Sequence, residues 1–298
     1  MREITAALAL SVCATVALAA DLRVSSDQTV GGFVFPESVA YDAKGKVLYV
    51  GNFGGAKLDP AAKDGLDYIS KVGLNGKVIE EKVFPVQGGE ALNKPKGIWI
   101  QGDRLWVTDI DAVWIFDLRT KKGRKLALPG IGFANDPAVM DGALYISDNR
   151  NDKLVKVVPA DFLNAKREPS VTEVFSGAQI NPNGVYPARD GMLLMVGFLA
   201  ADKPRGIYAL GVSGQIKSLS EPIGRLDGLY ELKDGSLLAT DWNTGSLFHW
   251  SEKTGKRDLA TGFKGPADFC VVPGADGSMT VVVPDLPQSQ LRFIHLRK

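Results

Sequence analysis

Three features of the sequence predict an all-β chain folded as a six-bladed β-propeller with four-stranded blades. A short apolar run recurs six times, a turn signal precedes each copy, and another strand-like segment follows it. The runs are VLYVGN at 47–52, RLWVTD at 104–109, ALYISD at 143–148, MLLMVG at 192–197, SLLATD at 236–241 and SMTVVV at 278–283. They lie about 40 to 57 residues apart, the period of propeller blades. Their β-branched and aromatic content suits strands in a packed sheet.

Each run follows a strand-like segment and a tight turn. The turns are at 42–45, Gln101-Gly102, Asp141-Gly142, Asp190-Gly191, Asp234-Gly235 and Asp276-Gly277. Asp-Gly supplies the positive φ angles that a two-residue hairpin needs. Third strands are predicted at 68–72, 112–116, 153–157, 206–210, 246–250 and 290–294. Several alternate apolar and polar residues, as half-buried strands do. A fourth strand follows in the first five units, as at 78–84, but not in the last, which ends at Lys298. An open edge invites aggregation. The segment DLRVSS at 21–26 is therefore expected to supply the outer strand of the last blade, so that the mature N-terminus closes the ring.

Residues 1–20 read as a signal peptide and 21–298 as one propeller domain. Arg2 precedes an apolar stretch at 4–18, and Ala17-Leu18-Ala19 offers small residues for cleavage. A secreted or periplasmic protein is expected. Cleavage would remove Cys13, leaving Cys270 in an apolar run as a small core residue. With 35 Lys and Arg against 34 Asp and Glu, the net charge of +1 gives no reason to expect nucleic acid or an anionic membrane as partner. Two inserts, at 54–67 and 199–205, read as binding loops or as surface insertions.

In a propeller the first strand of each blade lines the central channel, and the channel mouth is the usual ligand site. The residues opening these strands differ from blade to blade. Glu37, Asn135, Asn183 and Asp227 come from four blades and converge on one axis. Asn183-Gly184 and Asp227-Gly228 are also turn sequences, yet both units already have hairpin turns at Asp190-Gly191 and Asp234-Gly235. Two carboxylates and two amides form an oxygen-only donor set suited to a hard cation, Ca²⁺ or another divalent ion. Lys96 and Asp268 open two further first strands and are candidate substrate contacts. Lys96 would attract an acidic substrate or pair with Asp268 or Asp227. Trp99 and Trp106 fit the core.

These residues resemble the senescence marker protein/gluconolactonase (regucalcin-like) family, related to diisopropyl fluorophosphatase and more distantly to paraoxonase. The matches are Glu37-Ser38 through Tyr41, Asn135-Asp136, Pro182-Asn183-Gly184 and Asp227-Gly228, in blade order. The resemblance implies a divalent cation, usually calcium, held by Glu37, Asn183 and Asp227. It places Asn135 beside the cation as ligand or substrate contact, and makes Asp227 base or nucleophile. It implies hydrolysis of a lactone or similar ester. Lys96 stands where paraoxonase-like relatives carry a His, the family's substrate-binding Arg has no clear counterpart, and His249 and His295 fall on third strands away from the channel. The alternatives are a non-catalytic propeller that binds a small molecule or protein, and a phosphotriesterase-like hydrolase on the same metal site.

Overall fold

The computed structural model describes residues 22–298; the predicted signal segment and Cys13 lie outside them. β1 (Arg23–Val30) comes first. The first blade is β2 (Pro36–Asp42), β3 (Val47–Asn52), β4 (Tyr68–Gly73) and β5 (Val78–Phe84). The second is β6 (Ile98–Gln101), β7 (Arg104–Asp109), β8 (Ala112–Asp117) and β9 (Gly123–Ala127). The third is β10 (Pro137–Met140), β11 (Ala143–Asp148), β12 (Lys153–Val158) and β13 (Ser170–Ser176). The fourth is β14 (Pro182–Pro187), β15 (Leu193–Gly197), β16 (Ile207–Leu210) and β17 (Ile216–Ser218). The fifth is β18 (Leu226–Glu231), β19 (Leu237–Asp241), β20 (Ser246–Ser251) and β21 (Gly255–Ala260). The last blade is β22 (Cys270–Pro273), β23 (Met279–Asp285) and β24 (Gln290–Arg297), with β1 as its outer strand.

Every blade is an antiparallel four-stranded sheet. β1 pairs with β24 from Arg23↔Arg297 to Val30↔Leu291, extending beyond the segment expected from sequence. Leu22 and Val30 pack into cores on the two sides of the last blade, and Arg292 pairs with Asp27. β1 is thus fixed in the last blade by side chains as well as by the sheet, and it leads directly into the first blade.

Among the described residues six core clusters each fill the space between two neighbouring blades, and a seventh, small one joins Phe53, Ala267 and Leu286. Along β3, Val47 and Tyr49 face the second blade, whereas Leu48 and Val50 face the last. A middle strand buried on both faces needs apolar residues at consecutive positions, which is why the repeat reads as a continuous run. Each Leu, Val or Ile so buried contributes roughly 1.5–3 kcal/mol. Cys270 belongs to the sandwich between the last and first blades, and burial pushes its thiol far up from the usual range.

The hairpin turns depart from the expected geometry. Only Asp141-Gly142 has positive φ at both residues. At Asp190, Asp234 and Asp276 the carboxylate instead accepts the backbone N–H two residues on, and only the following glycine takes positive φ. In the first blade Lys46, not Gly45, has positive φ. Among the described residues no helix is long and apolar enough to cross a membrane.

Candidate functional site

The inner strands of neighbouring blades touch around the axis and enclose two cavities. One, of about 430 Å³, lies at the N-terminal ends of the inner strands. Glu37, Asn135, Asn183, Asp227 and Lys96 all line it. The other, of about 250 Å³, lies toward the C-terminal ends. Asp268, expected at the mouth, lines this far cavity with Asp136. The reason is strand geometry. Successive side chains point to opposite sides of the backbone, so adjacent residues such as Asn135 and Asp136 leave it in different directions and meet different cavities.

Three of the mouth residues sit at β-bulges. The register of β2 against β3 slips between Pro36 and Ser38, that of β14 against β15 between Pro182 and Val185, and that of β18 against β19 between Leu226 and Leu229. Glu37, Asn183 and Asp227 occupy the slips. A bulge leaves its extra residue out of the ladder and re-aims its side chain. The glycines after Asn183 and Asp227 have no positive φ; they are small because the next blade is close. A Cβ on Gly184 would stand 2.2 Å from the Asp227 carbonyl oxygen, and one on Gly228 2.6 Å from the Phe269 ring.

Side chains from the second strands hold these inner strands in place. Ser147 Oγ accepts the Asp136 N–H (2.9 Å) and donates to the Asn183 carbonyl (2.6 Å) of the next blade. Thr108 links Gly97 to the Asn135 carbonyl, and Thr240 links Gly228 to the Ala267 carbonyl, in the same way. Carboxylates fix the approach loops. Asp152 accepts the N–H groups of Gln179, Ile180 and Asn181 ahead of Asn183, and Asp241 accepts that of Arg225 ahead of Asp227. Asp67, at the end of the first insert, accepts from Gly54 and Lys94, and its carboxylate is 2.6 Å from Lys94 Nζ. The insert is pinned there, and its Leu58 and Pro60 form part of the mouth wall.

Glu37 and Asp227 are 6% and 3% exposed, and each has one buried carboxylate oxygen, Glu37 Oε2 and Asp227 Oδ1, without a hydrogen-bond partner. The other Asp227 oxygen accepts the Trp242 indole N–H at 2.9 Å. Burial pushes Asp227 up to about 7 against the opposing effects of that indole, Arg225 and Asn183. Burial, and then the charge of Asp227, hold Glu37 well above the usual carboxylate range. Lys96 is 1% exposed; burial lowers it to about 8, with Glu37 the main charge opposing the shift. Its ammonium stands over the Phe133 ring at 4.1 Å and makes a 3.4 Å contact with the Lys94 carbonyl. Glu37, rather than Asp227 or Asp268, is therefore its principal acidic neighbour.

Two arginines missed in the sequence line the mouth. Arg225 lies over Phe198 at 4.2 Å and has a buried Nε without a partner; Arg150 lies over Phe133 at 3.6 Å. Phe53, Phe198 and Trp242 complete the wall. Each of these aromatic residues immediately follows a recurrent run, so aligning one position past the repeat would have found them. His249 and His295 are on third strands, as expected.

The unpartnered oxygens Glu37 Oε2 and Asp227 Oδ1, with the Asn135 and Asn183 amides at the same cavity, fit a hard cation. Among the described residues no group of three His, Cys, Asp or Glu is spaced to hold a metal ion, so a ligand set at the mouth needs the amides.

No family model and no curated protein matches the chain in sequence. Solved structures match its fold. A proposed gluconolactonase superposes with a TM-score of 0.66 at 13% identity, over 93% of this chain and 94% of that one. Virginiamycin B lyase from Staphylococcus aureus superposes with a TM-score of 0.62 at 14% identity, over 93% of this chain and all of that one. A streptogramin B lyase gives 0.60 at 14% identity, over 91% and 98%. This chain has the six-bladed propeller fold that these proteins share.

Proposed function

We propose that the protein is a divalent-cation-dependent hydrolase of a lactone or similar ester bearing a negative charge, and that Ca²⁺ or a similar ion is held by Glu37, Asn135, Asn183 and Asp227. The observation that carries this reading is the pair of buried, unpartnered carboxylate oxygens beside two amides at the channel mouth. A bound cation supplies Lewis acidity to the ester carbonyl and offsets the charge of the two carboxylates. Asp227 doubles as the base: Trp242 fixes one oxygen, and Oδ1, the oxygen that would also meet the cation, keeps a lone pair to take a proton from water. Lys96, Arg150 and Arg225 attract the anionic part of the substrate, which is the source of the charge preference. The aromatic wall packs on its apolar part. The fold is shared with a proposed gluconolactonase, whose named activity is the source of the lactone in this reading.

The same reading includes export, with residues 1–20 removed; N-terminal sequencing of protein recovered outside the cytoplasm tests that part. The function is tested by metal analysis and by assays with lactones, aryl esters and phosphotriesters, with Ca²⁺ and with EDTA. Calcium-dependent turnover of an anionic lactone is expected. Metal-free protein with no calcium response and no turnover would support the non-catalytic alternative, and turnover confined to phosphotriesters would move the substrate class.

A further inference from the structure

The far cavity has a different chemistry from the mouth. Its floor holds Asp136 and Asp268. Asp136 is 6% exposed, and its Oδ2 accepts the Val185 N–H at 2.9 Å. Asp268 has the Phe269 backbone N–H beside its carboxylate and no Lys or Arg ion pair among the described residues. No Lys, Arg or His lines the cavity among the described residues. Arg189, near Tyr186, directs its backbone N–H and guanidinium to Glu231. The wall includes Tyr41, Trp99, Tyr186 and Tyr230 from four blades, together with aliphatic side chains such as Ile98 and Leu229. Tyr186 packs against Trp99 with ring centres 6.0 Å apart and against Tyr230 at 5.1 Å.

A buried and a half-buried carboxylate without cationic partners, in a cavity lined by aromatic side chains, call for positive charge from a ligand. A bare divalent ion takes about 6–8 oxygen ligands, and aromatic walls provide few. An organic ammonium is satisfied by ring faces around its alkyl groups and by carboxylates beneath. The cavity, about 250 Å³, falls below the ~300–1,000 Å³ common for drug-sized ligands, which favours a small cation.

We propose that the far end of the channel is a second binding site, for a small organic ammonium ion, built by Asp136 and Asp268 beneath the Tyr41, Trp99, Tyr186 and Tyr230 rings. It lies at the other end of the channel from the residues assigned to the cation, and does not rest on the activity assigned there.

The test is calorimetric titration of the full chain with tetramethylammonium chloride, against NaCl at equal ionic strength and tert-butanol as a neutral control of similar shape. Saturable binding of the ammonium alone is expected, weakened about 10-fold or more in Asp268→Asn and in Tyr230→Leu, each checked by near-UV circular dichroism. If Asp268→Asn does not fold, Tyr230→Leu and Trp99→Leu provide the same comparison. The proposal is overturned if the ammonium does not bind, if tert-butanol binds equally well, or if the folded variants bind like the wild type. Displacement by Ca²⁺ with no effect of the aromatic substitutions also overturns it and assigns the cavity to a metal ion.

Discussion

The two ends of the channel share inner strands and carboxylates but differ in what surrounds those carboxylates. At the mouth, Glu37 and Asp227 stand among amides, Lys96 and two arginines. At the far end, Asp136 and Asp268 stand among aromatic rings with no cationic side chain lining the cavity. Asn135 and Asp136 are adjacent in sequence and face different cavities. An acidic residue's role in a propeller channel therefore depends on its register. Oxygen and guanidinium neighbours suit a metal ion and an anionic substrate, whereas π faces suit an organic cation.

The largest expected effect is on turnover. Asp227→Asn should lower kcat by about 10³-fold or more while circular dichroism shows an intact fold. It should leave saturable tetramethylammonium binding in place; activity close to wild type would remove Asp227 from the chemistry and weaken the contrast between the two ends.

The next effect is on stability. Lys94 Nζ and the Asp67 carboxylate are both buried, and Lys94→Met leaves that carboxylate without its cation. Denaturant unfolding should show a loss of about 3–5 kcal/mol, with turnover falling as the pinned 54–67 insert loosens at the mouth. Unchanged stability would mean that the insert is held by other contacts.

A pH series separates proton from metal at the mouth. Folding raises the affinity of Asp227 for its proton, because its folded value is about 7 against an ordinary 3.8. The unfolded chain therefore binds fewer protons between those values, and this group's contribution to stability falls as pH rises through that window. In EDTA, the melting temperature of Asp227→Asn should exceed that of the wild type by a margin that widens from pH 5 to pH 8. Stabilisation of the wild type by Ca²⁺ should grow over the same range, since the ion competes with protons. A constant margin would contradict the burial-driven shift.

The smallest effect concerns recognition. Arg225→Gln should raise KM for an anionic lactone by about 10-fold with little change for a neutral one, consistent with the loss of one charge-assisted contact. Equal effects on both substrates would show that Arg225 shapes the wall rather than reading charge.

Much of the fold was legible because it repeats. The recurrent runs became β3, β7, β11, β15, β19 and β23 with ends within a residue or two of those expected. The entrance residues were legible because they break that repeat: Glu37, Asn135, Asn183, Asp227 and Lys96 do share one cavity. Arg150 and Arg225 were not, because they lie in loops outside the strand pattern, and their aromatic partners Phe133 and Phe198 are remote in sequence. The bulges were also hidden, since Asx-Gly reads equally well as a turn.

The sequence by itself determined the blade number, the strand order within each blade and which residues stand near the axis, because period-2 strands and turn residues act locally. The tertiary structure alone decided which end of the channel each residue meets. That depends on bulges, on close packing at Gly184 and Gly228, and on hydroxyl links such as Ser147 to Asn183, all of which form only when neighbouring blades come together.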